Sequence, residues 1–306
     1  MEILSSLFTI LMIVIAGGIS RISGIFKEKD AKTLSSFVYY FGLPTLFFGK
    51  ISALNIRQLD PQLVIGTLGP SALILIILLA AKLVGLLEKD PFILLSLSIS
   101  FGSYAFFGVA FFETFQGGRW FASAILAASL LGLLGIITTI ILFEYASRKR
   151  KGWGFVSKIF SNPLMLSILL GMLSSLLQVR IPALDSAFDL VGQTASGTAI
   201  FVLGMFIHDR FSPAIIHRAF RYSLFRMTVL PLAALLITGI FLPEAGELGQ
   251  FIILENGMPA AIALVVFAER YEYKVAEAAG MVSLTSLFSF LNLTALYYLS
   301  RSLFQG

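Results

Sequence analysis

Residues 251–271 read FIILENGMPAAIALVVFAERY, an apolar segment as long as a helix that spans a bilayer. Its middle carries Glu255, Asn256, Gly257 and Pro259, which a continuous helix facing lipid does not need. A helix break is expected here, because proline lacks an amide hydrogen and glycine is a weak helix former. Unwound backbone at membrane depth is tolerated only where protein or a watery cavity satisfies its polar groups. The segment therefore predicts a binding site at a broken helix or, less informatively, a proline kink with a satisfied polar pair.

The composition is that of an integral membrane protein. Of the 306 residues, 58% are hydrophobic and only 13% are charged, which excludes a water-soluble globule. Cysteine is absent, so a disulfide framework, a thiol nucleophile and a cysteine metal site are excluded. The basic residues behind the net charge of +5 lie in short loops between apolar segments. That pattern indicates membrane topology and not nucleic-acid binding.

Ten segments are each close to the length that a bilayer core requires. Their approximate limits are 3–20, 33–50, 61–86, 91–115, 120–145, 162–178, 187–207, 222–241, 248–269 and 276–300. The first segment has no basic residue before it and no small-residue cleavage site after it, so it is interpreted as a span and not as a signal peptide. The fourth and ninth spans are expected to be interrupted.

The lysines and arginines predict the orientation in the membrane. One set of alternate loops and helix ends holds all but five of the 22 basic residues, including the run RKRK at 148–151. The other set holds only Lys50, Arg57, Arg119, Arg180 and Arg301. The richer set is therefore placed in the cytoplasm of a multi-pass plasma-membrane protein, with both termini extracytoplasmic. The basic run would also suit anionic lipids or a partner protein.

The chain looks doubled around its basic loop. Five spans precede it and five follow, and an odd number in each half gives the halves opposite orientations, as in many secondary transporters. GLPTLFFG (42–49) of the second span is echoed by SGTAIFVLG (196–204) of the seventh, and FGSYAFFGVAFFETF (101–115) matches the break in the ninth. The predicted fold is an all-α integral membrane protein: ten transmembrane helices in a 5+5 inverted repeat, with crossed, broken helices 4 and 9.

The expected domains follow from this repeat. Residues 1–146 form the first five-helix repeat, 147–161 a basic cytoplasmic linker, and 162–302 the second, inverted repeat. The final LFQG, residues 303–306, resembles a viral-protease cleavage site of the kind used in protein expression and is left out of the functional argument.

Two broken helices that cross at their breaks could bind a charged solute. Each break leaves free amide hydrogens, which attract anions, and free carbonyls, which attract cations. Because no basic residue was identified near the centre of any span, an anion such as a carboxylate would be held by the amide ends. Glu255 would repel this anion if ionised. It therefore either faces a cation or stays protonated, since burial disfavours the charged form.

Four stretches resemble the auxin efflux carrier family. Residues 258–299 show the family's proline at the break, its Ala-x-x-Tyr at the helix end and its Ser/Thr-rich last helix, here Pro259, Ala268, Tyr271 and the Ser283–Thr285–Ser286 cluster. The other three stretches are similar to the family's sixth, seventh and second helices. They are NPLMLSILLGMLSSLL (162–177), GQTASGTAIFVLGMFI (192–207) and GLPTLFF (42–48).

The resemblance implies a ten-helix carrier of the bile/arsenite/riboflavin transporter superfamily. Spans 1, 2, 6 and 7 would form a scaffold, and spans 3–5 and 8–10 a transport core that moves against it. The implied substrates are small organic anions: auxin in plants and small carboxylates in bacteria. Related carriers pair through their scaffold helices, so a homodimer is an expected assembly, and membrane lipids are the other expected contacts.

The sequence departs from the family at both breaks. The family's fourth helix reads Asn-x-x-Phe-x-Gly-x-Pro, whereas Ser103 and Ala110 stand here for the asparagine and the proline, with Phe106 and Gly108 kept. A less sharply broken first crossover is therefore expected. Glu255 before the second crossover looks more like the ion sites of bile-acid symporters, and we expect it to couple transport to Na⁺ or H⁺. A sodium-coupled, bile-acid-symporter-like uptake carrier is the alternative function.

The candidate residues come mainly from the two breaks. The candidate substrate-binding residues are Gly102, Ser103, Tyr104, Gly108, Asn256, Gly257, Met258, Pro259, Pro44, Thr45, Gln193 and Asn292, and the candidate ion-coupling residues are Glu255 and Asn256, with Na⁺ near Glu255 as the metal ion considered. Gln193 and Asn292 would serve equally well in helix–helix hydrogen bonds, worth about 1 kcal/mol. Arg226, just inside the eighth span, is expected to reach the cytoplasmic surface or to pair with an acid of the core.

Other function classes find less support. A membrane-embedded enzyme needs a nucleophile with a base, a metal triad or paired aspartates, and the sequence has no His-Glu-x-x-His, no Gly-x-Ser-x-Gly and no cysteine. No enzymatic activity and no cofactor are therefore expected. A channel or a passive sensor remains an alternative, because broken helices also line pores.

Overall fold

The structure is a computed structural model that describes residues 2–53, 60–146, 163–210, 213–242, 244 and 246–304. The predicted basic linker 147–161, Arg57 and the last two residues of the LFQG stretch lie outside the described residues. Over the described ranges the chain is helical, with short connections and one isolated antiparallel bridge between Gly102 and Ala260 in place of any strand. The predicted all-helical class is confirmed.

Each of the ten predicted spans falls on one helix or on a helix in pieces. The helices are α1 (Glu2–Ile22), α2 (Glu28–Phe37), α3 (Leu43–Ala53), α4 (Pro61–Leu83), α5 (Lys89–Ser100), α6 (Val109–Thr114), α7 (Phe121–Ala146), α8 (Pro163–Leu177), α9 (Pro182–Gly192), α10 (Thr194–Arg210), α11 (Pro213–Phe241), α12 (Gly246–Asn256), α13 (Ala263–Arg270) and α14 (Val275–Phe304). Two π-helical turns, Val38–Gly42 and Tyr104–Gly108, precede α3 and α6.

Four helical stretches are long and apolar enough to cross a membrane. They are Pro61–Leu83, Phe121–Ala146, His217–Phe241 and Val275–Phe304, and Leu7–Ile22 and Pro163–Leu177 are shorter apolar helices. On α11, Leu232, Leu236 and Ile240 recur every four residues and are more than half exposed. An exposed apolar stripe of this kind on one helix face is typical of a lipid-facing surface.

The chain forms two compact units, each made of separate segments. The first unit contains residues 1–60, 105–129 and 152–209, and the second contains 61–104, 130–151 and 210–306. The first unit therefore includes α1–α3, α6 and α8–α10, and the second includes α4, α5 and α11–α14. Helix α7 contributes its beginning to the first unit and the rest to the second.

Close helix contacts at glycine hold the first unit together. Gly17 of α1 lies against the backbone of Phe201 and Gly204 of α10, and Gly204 in turn lies against the backbone of Val14. A Cβ atom at either glycine would overlap a backbone carbonyl oxygen of the other helix. Small residues bring membrane helices close enough for backbone contact, which compensates for the missing hydrophobic drive between helices in lipid.

We expect Gly204→Ala to destabilise the first unit. The added methyl group meets the Val14 carbonyl, and overpacking of this kind costs about 1–3 kcal/mol. Gly197→Ala on the same helix is the matched control, since a Cβ there meets no atom within 4 Å and alanine favours the helix. Thermal unfolding of the purified protein in detergent measures both. Equal midpoints for the two variants would contradict the close contact.

Candidate functional site

The second unit contains two helix breaks. Helix α5 ends at Ser100, and Phe101 leaves the helical region with φ −123° and ψ 88° before the chain becomes helical again at Tyr104. Helix α12 ends at Asn256, and α13 begins at Ala263. The first break is shorter than the second, which agrees with the milder interruption expected from Ser103 and Ala110.

The two breaks are hydrogen-bonded to each other. The Ser103 amide donates to the Pro259 carbonyl at 2.7 Å, and the Ala261 amide donates to the Phe101 carbonyl at 3.0 Å. These bonds flank the antiparallel bridge between Gly102 and Ala260. Each break thus supplies partners for backbone groups that the other has removed from its helix, as a buried backbone requires.

Arg226 of α11 joins the carbonyl ends of both broken helices. Its Nε and Nη2 donate to the Met258 carbonyl just past α12, at 3.1 and 2.9 Å. Its Nη1 donates to the carbonyls of Ser98 and Ile99 in the last turn of α5. Nη2 also donates to the Tyr104 hydroxyl at 3.3 Å. A guanidinium carries five N–H groups, so these contacts use all of them.

This arrangement corrects the expectations for Arg226. The side chain is 1% exposed, so it does not extend to the surface, and its partners are backbone carbonyls and a hydroxyl instead of an acid. The useful signal was a charge inside an apolar helix, which by itself marks a functional position in a membrane segment.

Further side chains complete the polar contacts of the second break. The Thr285 hydroxyl accepts a hydrogen bond from the Ala260 amide at 3.0 Å, and Asn292 Nδ2 donates to the Gly257 carbonyl at 3.3 Å. Asn292 therefore makes a helix–helix hydrogen bond, one of its two predicted roles. The sequence indicated Thr285 only through the family resemblance and did not predict its hydrogen bond to the break.

Asn256 compensates for a proline in α4. Pro70 has no amide hydrogen, so the Gly66 carbonyl four residues earlier lacks its helical donor. Asn256 Nδ2 donates to the Gly66 carbonyl at 3.4 Å and to the Ile252 carbonyl at 2.9 Å. Its Oδ1 is buried and has no hydrogen-bond partner among the described residues. The amide group of Asn256 thus donates to two backbone carbonyls, and its oxygen stays without a partner in this part of the structure.

Glu255 is the most unusual of the buried polar side chains. It is 0% exposed, and neither carboxyl oxygen has a hydrogen-bond partner in the described part of the chain. Other buried side chains of the second unit share this property: Thr67, Ser71, Ser96, Ser100, Ser103, Thr139 and Gln250. Buried polar groups are normally paired, so a cluster of unpaired groups marks a position where water, an ion or a solute would find partners.

Close packing around Arg226 explains the glycine at 102. A Cβ atom there would overlap the guanidinium of Arg226 and the ring of Tyr104. The guanidinium carbon lies 5.7 Å from the centre of that ring, within cation–π range. Tyr104 itself is 1% exposed. Gly102 and the Tyr104 ring therefore pack against Arg226, whose backbone partners are the carbonyls of Met258, Ser98 and Ile99.

Four of the candidate residues belong to the first unit. Gly108 lies at the end of the π-helical turn, and Pro44 and Thr45 lie in the first turn of α3. The Thr45 hydroxyl donates to the Phe41 carbonyl at 2.8 Å, and the Gln193 side chain is exposed. These contacts are local, and a substrate-binding role for the four residues stays a prediction.

A charged cluster joins the beginning of α5 to the loop before α14. The Asp90 carboxylate accepts from the Tyr273 hydroxyl at 2.7 Å and pairs with Lys274 Nζ at 2.8 Å. The bond to Lys274 lowers the pKa of Asp90, and the same bond raises the pKa of Lys274. Burial and the bond to Asp90 raise the pKa of Tyr273, so it keeps its proton. Tyr271 donates to Glu144 at 3.1 Å beside this cluster.

Comparison with known families identifies the class. A family model described as membrane transport protein matches residues 2–152 and 154–297. The chain belongs to the membrane transport protein family, whose members are transporters and not enzymes. With its apolar helices it is an integral membrane protein. No match was found among curated proteins.

We expect Thr285→Val to weaken the second break. The isosteric change removes the acceptor of the Ala260 amide and leaves a buried N–H unpaired, at a cost of about 1–3 kcal/mol. Thr285→Ser is the matched control because it keeps the hydroxyl. Thermal unfolding in detergent measures the difference. A valine variant as stable as the serine variant would show that the bond is not needed.

We expect Asp90→Asn to lower the midpoint of unfolding near neutral pH. The lowered pKa of Asp90 means that its contribution is present above its ordinary pKa of 3.8 and is lost as pH falls through the lowered value. The difference from the wild type should therefore close in strong acid. It should stay below about 1 kcal/mol, because both partners are more than a third exposed. Glu88→Gln, at an exposed neighbour, is the control, and a pH-independent difference would contradict this origin.

Proposed function

We propose that the protein is a secondary active transporter that moves a small organic anion, a carboxylate, across the membrane by alternating access. The observation that carries the proposal is the pair of hydrogen-bonded helix breaks, Phe101–Ser103 against Pro259–Ala261, inside a chain of the membrane transport protein family. Discontinuous helices at bilayer depth form the substrate and ion sites of secondary transporters.

Two features favour an anion at this site. Helix α13 begins at Ala263, and neither its amide nor that of Ile262 has an acceptor among the described residues. Free amides at a helix N-terminus carry partial positive charge. Near the same break, Asn256 Oδ1 and the Ser103 hydroxyl are buried and have no hydrogen-bond partner within the described ranges. The amides would bind the carboxylate, and the side chains would bind its polar substituents.

The proposed architecture is the 5+5 inverted repeat with crossed helices 4 and 9. In it, spans 1, 2, 6 and 7 act as the scaffold and spans 3–5 and 8–10 as the moving core. The division into units supports this grouping, since α1–α3 and α8–α10 fall in one unit and α4, α5 and α11–α14 in the other. Residues 105–129 depart from it, because they fall with the proposed scaffold.

The resemblance to auxin efflux carriers extends the proposal to the membrane, the orientation and the oligomeric state of the protein. We place the protein in the plasma membrane with both termini extracytoplasmic, as a homodimer that pairs through scaffold helices. The distribution of lysine and arginine supports the orientation. The superfamily of bile, arsenite and riboflavin transporters supports the assembly by analogy alone.

Glu255 is proposed to couple transport to Na⁺ or H⁺. The helices that pack against α12 are α4, α11 and α14. Their charged or titratable side chains include Lys82, His217, Arg218, Arg221, Tyr222, Arg226, Glu277, Tyr297, Tyr298 and Arg301. None of these bonds to Glu255, whose oxygens have no protein partner in the described ranges. A buried carboxyl in this state has two ways to remain stable: binding a proton or binding a cation.

A binding screen tests the substrate class. The purified protein is heated in detergent with small mono- and dicarboxylates and indole acids, and we expect at least one anion to raise the unfolding midpoint in a saturable way. Uncharged amides of the same acids are the matched ligands. If no anion stabilises the protein, the substrate class is wrong. Saturable flux with counter-exchange in proteoliposomes would separate a carrier from a channel.

Glu255→Gln tests the coupling. The substitution keeps the shape of the side chain but removes its negative charge and its titratable proton, so we expect flux that no longer responds to an imposed sodium or proton gradient. Gln250→Glu on the same helix is not suitable as a control because it adds a buried charge. Glu247→Gln, in the first turn of α12, serves instead. Gradient-dependent flux that survives Glu255→Gln would remove Glu255 from the mechanism.

A further inference from the structure

Helix breaks in membrane transporters present two kinds of charge. Amide ends attract anions, whereas unwound carbonyls and helix C-termini coordinate cations such as Na⁺. In the second unit the C-termini concerned are those of α5 and α12. Their last carbonyls would be the ligands of a coupling cation, if the protein used one at the breaks.

Three of the carbonyls at these ends already accept hydrogen bonds from a side chain. Ser98 and Ile99 at the end of α5 and Met258 just past α12 all accept hydrogen bonds from the guanidinium of Arg226. The guanidinium is 1% exposed and uses all five N–H groups on these carbonyls and Tyr104. No donor is left over for a substrate, so the group acts on the backbone and not on a solute.

The charges also balance. Each helix C-terminus is equivalent to about −0.5 elementary charge, so two of them amount to about −1, which one guanidinium neutralises. Gly102 has no Cβ, which leaves room for the guanidinium and the Tyr104 ring at this position.

We infer that Arg226 is a built-in cation that takes the place of Na⁺ at the breaks, so that ligand binding and transport are independent of sodium. The inference rests on the proposed carrier function for its transport consequence, and it removes the sodium-coupled alternative. If Glu255 couples transport, the coupling ion is then the proton.

The first experiment needs no substrate and no variant. Unfolding midpoints of the wild-type protein are compared in sodium, potassium and choline chloride at equal ionic strength. We expect the three midpoints to coincide. A saturable rise specific to sodium would overturn the inference, because it would reveal a sodium site despite the guanidinium.

The second experiment replaces the built-in cation. In Arg226→Met the carbonyl ends lose their charge partner, and we expect the midpoint to fall on the order of 10 °C. Millimolar guanidinium chloride, far below denaturing concentrations, should restore part of this loss in the variant and leave the wild type unchanged. Arg218→Met, which removes an exposed arginine of the same helix, is the control and should show neither effect. A folded Arg226→Met that is as stable as the control and insensitive to cations would overturn the inference.

Arg226→Lys covers the case in which the methionine variant does not fold. Lysine keeps the charge with fewer donors, so this variant should be less stable than the wild type yet still insensitive to sodium. A sodium-specific stabilisation of Arg226→Lys would contradict the inference. The anion screen tests a different claim. If no anion stabilises the protein, the proposed function is wrong, but the effect of sodium on the unfolding midpoint still decides the role of Arg226.

Discussion

The hydrogen bonds from Arg226 to the carbonyls of Ser98, Ile99 and Met258 are the interaction on which the second unit depends. A helix that stops inside a membrane protein leaves carbonyls with no water to solvate them, and each such group costs several kcal/mol if unpaired. One planar guanidinium satisfies carbonyls from two helices at once. The antiparallel bridge between Gly102 and Ala260 can then bring the breaks side by side without burying uncompensated charge.

Around the breaks, backbone groups and side chains differ in whether they have hydrogen-bond partners. Backbone amides and carbonyls at the breaks form hydrogen bonds with Arg226, with Thr285 and Asn292, or with the backbone of the facing break. By contrast, the Glu255 carboxyl, the Ser103 hydroxyl and one oxygen of Asn256 are buried and have no hydrogen-bond partner in the part of the chain that the structure describes. Hydrogen bonds to the backbone hold the breaks in a fixed geometry, and the unpaired side chains are available to bind a ligand. This division is consistent with the proposed carrier site.

The sequence predicted the breaks well because their cause is local. Gly257 and Pro259 oppose a helix whatever surrounds them, and the polar pair before them pointed to a site. The role of Arg226 was not predictable in the same way. A long flexible side chain near a helix end can reach the surface or the interior, and only the position of α11 against α5 and α12 decides. Helix hydropathy indicated the membrane class, whereas the grouping of residues 105–129 with the first unit depends on contacts distant in sequence.

A cation that is part of the protein affects the charge of the site differently from an ion that binds and leaves. Where Na⁺ neutralises the helix ends, the site changes charge each time the ion binds or leaves, and this change couples the ion gradient to the substrate. Arg226 is part of the chain and cannot dissociate, so under this proposal the ends stay neutral and the core could move without a sodium ion. Any coupling must then arise from a group that does change its charge. Among the buried carboxylic side chains of the described residues, Glu255 is the one with both oxygens free for that purpose.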